Sequence, residues 1–178
     1  MIVKDINILT KKSIVTTKEE CDKKKLWLRL EQALFTNNEP GYGLAAVQIG
    51  EHIRAVLLKG EVFNFKIINP VIISKSKKFV HPGEGCLSLP GERYNTDRYE
   101  EIEIEYLDGD SGKTTKQNVD GILAVILQHE CHHLDGILIR DIIHKKEEKI
   151  KRNEPCPFCL SQGIQIKWKK CKIHNKEN

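Results

Sequence analysis

The stretch DGILAVILQHECHHLDG, residues 120–136, decides how this chain is read. Asp120 is a residue type that caps helix starts, and Gly136 one that ends them. The spacing predicts a helix from there to about Leu134, with buried first turns, since Gly121 to Leu127 is solidly apolar. Its second half carries His129-Glu130-Cys131-His132-His133. Histidines at i and i+4 share one face of a helix, so His129 and His133 are candidate ligands of a single metal ion. Glu130 stands one residue on, placed to handle protons of the water such a metal activates without itself ligating. Burying two histidines and a glutamate is costly unless a metal satisfies them.

A tetrahedral catalytic site needs a third protein ligand. The longer HExxHxxGxxH motif of zinc peptidases takes it from a third histidine. Gly136 fits that motif, but the ligand position is Ile139, which cannot coordinate. A downstream glutamate on a helix serves another peptidase class; here Glu154 is followed at once by Pro155, which disrupts such a helix. An endopeptidase is therefore disfavoured. The other candidate ligand is Cys86, within GEGCLSLP at 83–90. One thiolate with two imidazoles suits Zn²⁺ or Fe²⁺, and the backbone N–H groups beside it could serve an oxyanion. A lone cysteine is more often a small buried hydrophobe. A third segment, GYGLAAVQIG at 41–50, has small residues that admit another chain, and a single glutamine, Gln48, that needs a partner. A tight packing loop explains it equally well.

Around these motifs the pattern is mixed. Thr17 and Glu20 form a capping-box pair, and Leu26, Leu30, Ala33 and Leu34 recur on one helical face, predicting a first helix that ends near Asn37-Asn38. Strand-like stretches follow at 53–58, 62–68 and, with a break, 71–80. Ile102, Ile104 and Tyr106 alternate with glutamates as in a half-buried strand, and Asp108 to Gly112 reads as a turn. A polar helix is expected at 144–152. Helix, several strands, then a buried helix make an α+β fold rather than a βαβ alternation.

The 178 residues suit one domain, 1–152, with a small unit at 153–178. The longest apolar run, Gly121 to Leu127, is far below the roughly 18 residues of a membrane span. The opening Met1-Ile2-Val3-Lys4-Asp5 lacks a signal-peptide pattern, so a cytoplasmic chain is expected, with its six cysteines as metal or catalytic candidates rather than disulfides. Charge is uneven: residues 144–178 have a net +6 within an overall +4, leaving −2 on residues 1–143. In the tail, Cys156, Cys159, Cys171 and His174 form C-x2-C-x11-C-x2-H, the layout of a small structural zinc site. Ile164, Ile166 and Trp168 alternate between the two pairs as a short strand does. Lys167, Lys169, Lys170 and Lys172 surround that tryptophan, a composition that fits contact with ribosomal RNA. A solvated basic tail with incidental thiols is the alternative.

Taken in order, GYGLAAVQIG, EGCLSLP and QHECHHLDG resemble the three motifs of the peptide deformylases, with Asn69-Pro70 and Asp120-Gly121 also in place, over about residues 37 to 143. The resemblance implies antiparallel sheets packed around the central HExxH helix. It implies that Cys86, His129 and His133 bind a divalent metal, ferrous iron by expectation, with nickel, cobalt or zinc as replacements. Glu130 then moves the proton, while the Gln48 amide and the Leu87 backbone N–H stabilise the oxyanion. The substrate is an N-formylmethionyl nascent peptide, and formate is released. The peptide adds as a strand along the glycine-rich loop, touching Tyr42, Gly43 and Gly85; Ile122, Val125 and Ile126 line the methionine pocket, with plain core as the other reading; Arg93 meets the outer end. A monomer without membrane contact is expected. Three departures stand out. His132 takes the place of the family's usual aspartate in HExDH, Tyr42 that of a smaller aliphatic residue, and the first thirty residues show little of the family's opening. The rival readings are a metal-dependent peptidase or amidase on another substrate, and a ribosome- or RNA-binding protein with a decayed site.

Overall fold

A computed structural model describes residues 1–36 and 41–144. Three helices come first: α1 (Ile6–Leu9), α2 (Lys18–Lys23) and α3 (Leu26–Phe35). Seven strands follow: β1 (Gly43–Ala45), β2 (Ala55–Lys59), β3 (Asn64–Lys75), β4 (Lys78–Cys86), β5 (Leu89–Tyr99), β6 (Glu101–Asp108) and β7 (Thr114–Asp120). Helix α4 (Gly121–Leu134) comes next, and single 3-10 turns stand at Ala46–Ile49 and Ile139–Ile142.

Thr17 caps as its pairing with Glu20 predicts, its hydroxyl accepting the Glu20 N–H at 3.2 Å. The single first helix does not hold, however. Lys25 is left-handed at φ +50°, which splits the run into α2 and α3. Only α3 presents the apolar face of Leu26, Leu30, Ala33 and Leu34.

Strands β1-β2-β3-β6-β7 form one antiparallel sheet in that order, and β4 and β5 form a separate antiparallel ladder. Successive side chains point to opposite faces of a strand, and β2 uses both. Val56 and Leu58 join Ile67, Ile102, Ile104 and Tyr106 against Ala124, Leu127, Cys131 and Leu134 of α4. Ala55, Leu57 and Ile68 join Leu26, Leu30 and Leu34 of α3. The large sheet thus lies between α3 and α4, and each leucine buried there contributes on the order of 2 kcal/mol. A third cluster, with Leu9, Cys86, Leu89, Leu138 and Ile139, lies under the β4–β5 ladder.

The two stretches expected at 62–68 and 71–80 are divided differently. β3 runs through Asn69 and Pro70 with a register shift between Ile68 and Val71, and Asn69 is left-handed at φ +51°. Proline has no N–H for a ladder, and a bulge tolerates that. The β6 strand and the turn after it stand as predicted, with Asp108 Oδ1 accepting the Ser111 N–H. Strands β5 and β7 had no apolar alternation to announce them; their partners β4 and β6 make them strands.

Helix α4 has the predicted limits. Asp120 occupies the cap position, though its side chain makes no cap bond. The far end closes with Ile137 N–H to His132 O and Gly136 N–H to His133 O, the paired bonds of a glycine-terminated helix. Gly136 is left-handed at φ +74°, and a Cβ there would fall 2.3 Å from Thr10 O. No helix among the described residues is long and apolar enough to cross a membrane. The polar helix expected at 144–152, the unit at 153–178, and Cys156, Cys159, Cys171 and His174 lie outside the described residues.

Candidate active site

Cys86 ends β4, just before the two-residue turn Leu87-Ser88 that leads into β5. His129 and His133 stand on consecutive turns of α4. One ligand atom from each of these three buried residues lies within 4.8 Å of the others, and Cys86 Sγ is 3.2 Å from His133 Nε2. The sequence-predicted ligands are therefore brought together, whereas Ile139 packs into the apolar cluster beneath.

Residues the motif reading did not single out hold this trio. Glu84, two residues before Cys86, pairs its Oε1 with His129 Nδ1 at 2.5 Å, which leaves His129 Nε2 for a metal. Arg98 of β5, only 1% exposed, grips the same carboxylate through Nε at 2.8 Å and through Nη2, and Thr96 adds its hydroxyl at 2.5 Å. Arg98 Nη1 also meets His132 Nδ1 at 2.9 Å. Arginine has no acceptor, so it donates and His132 accepts. Burial, with the Arg98 charge alongside, pushes His132 down to about 4, which keeps the imidazole neutral for that role. Glu84 was legible only as an acidic residue near the cysteine; Thr96 and Arg98 sit on a strand that had no signal.

The electrostatics treat the two imidazoles oppositely. Burial works against protonation of His129, but Cys86 and Glu84 outweigh it and raise the group to about 10. Burial also opposes charge on Glu84, yet the bonds from His129 and Arg98 hold it well below the ordinary carboxylate range. His133 is lowered by burial and by the neighbouring His129. A divalent cation fits this donor set of one thiol and two imidazoles. Two buried polar atoms here lack a protein partner, Glu130 Oε2 and His133 Nδ1. Burial pushes the Glu130 carboxyl up to about 7, with the His129 charge working the other way.

The remaining predicted residues fall around this centre. Gln48, in the 3-10 turn after β1, accepts the Ala45 N–H at Oε1 (2.9 Å) and turns Nε2 to Ser88 Oγ at 3.2 Å and Cys86 Sγ at 3.8 Å. Leu87 packs on the α3-side core. Gly43 lies against the carboxylate: a Cβ there would be 2.6 Å from Glu130 Oε1 and 2.8 Å from Ile126. Tyr42 is 51% exposed, its carbonyl taken by Lys59 N–H. Gly85 faces Arg93, whose Nη1 also approaches Gly83 O at 3.5 Å. On α4, Val125 is buried, Ile126 half-buried and Ile122 exposed.

An α+β frame that presents one thiol and two imidazoles beside a buried carboxylate defines a metal-dependent hydrolase. The sequence profile of the polypeptide deformylase family matches residues 2–149. The peptide deformylase of Rickettsia akari is 36% identical over 134 residues, 65% of this chain and 76% of that one. That of Stutzerimonas stutzeri is 41% identical over 128 residues, 65% of this chain and 74% of its own. The crystal structure of peptide deformylase from Thermus thermophilus superposes with a TM-score of 0.72 at 32% identity, covering 82% of this chain and 85% of that one. The chain belongs to the peptide deformylase family. Its activity is metal-dependent removal of the formyl group from N-formylmethionyl peptides. The match also takes in the amino-terminal residues that had shown little of the family's opening.

Proposed function

We propose that Cys86, His129 and His133 hold the divalent metal, ferrous iron in the native protein, and that Glu130 is the proton carrier of deformylation. The observation that carries this reading is the convergence of one ligand atom each from Cys86, His129 and His133 to within 4.8 Å of one another, with the buried Glu130 next to His129 in the chain and its Oε2 without a protein partner. Held by these three side chains, a divalent metal would supply the Lewis acidity that makes water a nucleophile near neutral pH. Burial raises the Glu130 carboxyl to about 7, and a divalent cation held by the neighbouring residues would favour its carboxylate, the form that takes a proton and later returns it to the departing amine. Gln48 Nε2 and the Leu87 N–H stabilise the oxyanion formed from the formyl oxygen. Strand β1 is the edge of its sheet, so the peptide adds beside it along Tyr42 and Gly43, with Gly85 on the other side. Ile122, Val125 and Ile126, on the His129 face of α4, line the methionine side, and Arg93 meets the outer end. The setting is cytoplasmic, the enzyme monomeric, and the basic tail, with its Cys3His zinc set, meets ribosomal RNA.

Formate release from a formyl-methionyl peptide, by protein purified without oxygen, tests the assignment. Glu130→Gln should lower kcat by about 100-fold or more at unchanged metal content, since it removes the group that moves the proton. A Glu130→Gln protein that keeps the parent rate would sink it. Elemental analysis of the same preparation identifies the metal.

A further inference from the structure

Ser88, the second residue of the β4–β5 turn, is 1% exposed and accepts a hydrogen bond from Gln48 Nε2 at 3.2 Å. Gln48 is 2% exposed, and its Oε1 is committed to the Ala45 N–H at 2.9 Å. That commitment decides which end of the amide faces the turn: the oxygen is tied to β1, so the NH2 group faces Cys86 and Ser88. A primary amide carries two N–H donors. One is directed at Ser88 Oγ. The other has only Cys86 Sγ, at 3.8 Å, a long contact to a weak acceptor.

We infer that Ser88 is a positioning residue of the deformylation reaction: by accepting one Gln48 amide hydrogen it fixes the plane of that amide and leaves the second hydrogen for the oxyanion. The inference rests on the reading of Gln48 as an oxyanion donor. Such donors act because they are oriented before charge develops, so that no reorganisation is required at the transition state. The terminal torsion of glutamine is broad, and one hydrogen bond at Oε1 leaves the amide plane free to rock about that bond. A second bond, from the other end to Ser88 Oγ, removes that freedom. Ser88 keeps its own proton throughout, and no bond to it is made or broken.

The experiment uses Ser88→Ala, Gln48→Ala and the double variant, each loaded to equal metal content and assayed on a formyl-methionyl peptide. Ser88→Ala is expected to lower kcat by about 5- to 20-fold, part of the effect of losing an oxyanion donor outright, while KM stays within about twofold. In the Gln48→Ala background the same change should cost less than about twofold, because the amide it orients is gone. The Gln48 side-chain amide resonances of Ser88→Ala should move and exchange faster, a signature independent of turnover. Ser88→Cys, similar in volume with a weaker acceptor, carries the same test should the alanine variant not fold, and its kcat must also fall. Parent kcat in these variants, or an equal loss in both backgrounds, overturns the inference. Gln48→Ala at the parent rate removes the reading beneath it, whereas a damaged Gln48→Ala beside an unaffected Ser88→Ala removes this inference alone.

Discussion

Two polar networks touch helix α4, one along its second half and one at its carboxyl end, and they are finished differently. Around Glu84 the partners are Arg98, Thr96, His129 and His132, and next to them Glu130 Oε2 and His133 Nδ1 stay without a partner. At the far end, Arg54 donates to Asp135 Oδ1 at 2.7 Å and to Pro70 O at 3.3 Å, while Asn69 pairs both ends of its amide with the Thr16 backbone. Those side chains all close on protein atoms, and what they join is scaffold: the amino-terminal segment, the start of β2, the β3 bulge and the helix end. Buried polarity does not by itself mark chemistry. An orphaned buried group costs about 1–3 kcal/mol; Ser13 Oγ, Trp27 Nε1 and His52 Nδ1 are also without partners, so what sets Glu130 Oε2 apart is its place on the helix that carries His129 and His133.

If that contrast is right, the site network should be the more fragile. Arg98→Leu removes the partner of a carboxylate that is itself buried, and breaking a buried pair in this way costs about 3–5 kcal/mol. Urea unfolding of parent and variant would show it as a lower midpoint at similar slope. A loss below about 1 kcal/mol would mean that His129 and Thr96 alone suffice for Glu84.

Gly43→Ala attacks the open atoms rather than the closed ones. The new methyl would stand 2.6 Å from Glu130 Oε1 and 2.8 Å from Ile126, so the carboxylate must give way. A displacement of about 1 Å at a reacting group costs on the order of 100-fold, and kcat/KM should fall by about that much with the unfolding curve nearly unchanged. Steady-state kinetics beside thermal melting separates the two effects. Asn69→Ala should do the reverse. It loses two hydrogen bonds and places a Cβ-bearing residue other than Asn at φ +51°, for a destabilisation of about 2 kcal/mol, read by thermal melting, with the metal-loaded kcat intact.

The same contrast explains what could be read from the sequence. The ligands, Glu130 and Gln48 sit in short contiguous motifs, and helix α4 announced itself by an apolar run with Asp120 and Gly136 at its ends. Ile102, Ile104 and Tyr106 were readable because one face of β6 is wet. Thr96 and Arg98 were not, because they belong to β5, whose polar sequence becomes a strand only through pairing with β4. Sequence spacing carries no distance between residue 84 and residue 98, and it is that distance which makes a buried ion pair. The Lys25 break had no signal either, since lysine is an ordinary helix former. The left-handed Asn69 was hinted at by its residue type and by the proline after it, though the two stretches were divided at that point instead of joined.

A third carboxylate calibrates the smallest effect. Glu51 resembles Glu84 in being held by two basic side chains, Arg29 at 2.6 Å and Lys24 at 3.1 Å, but it does so at the surface. The bond from Arg29 is the main reason its carboxyl lies below the usual range, with Lys24 adding to it and partial burial opposing. The folded value is depressed, so the stabilisation is present above the unfolded carboxylate pKa and is lost as pH falls through the folded one. Solvent screening limits it to about 0.5 kcal/mol. Glu51→Gln should therefore lower stability by that amount at pH 7 and make no difference near pH 2, as followed by urea unfolding at both pH values. Added salt should shrink the pH 7 difference further. A difference at pH 7 as large as that of Arg98→Leu would show that burial is not what separates Glu84 from Glu51, and the contrast between site and surface would fail.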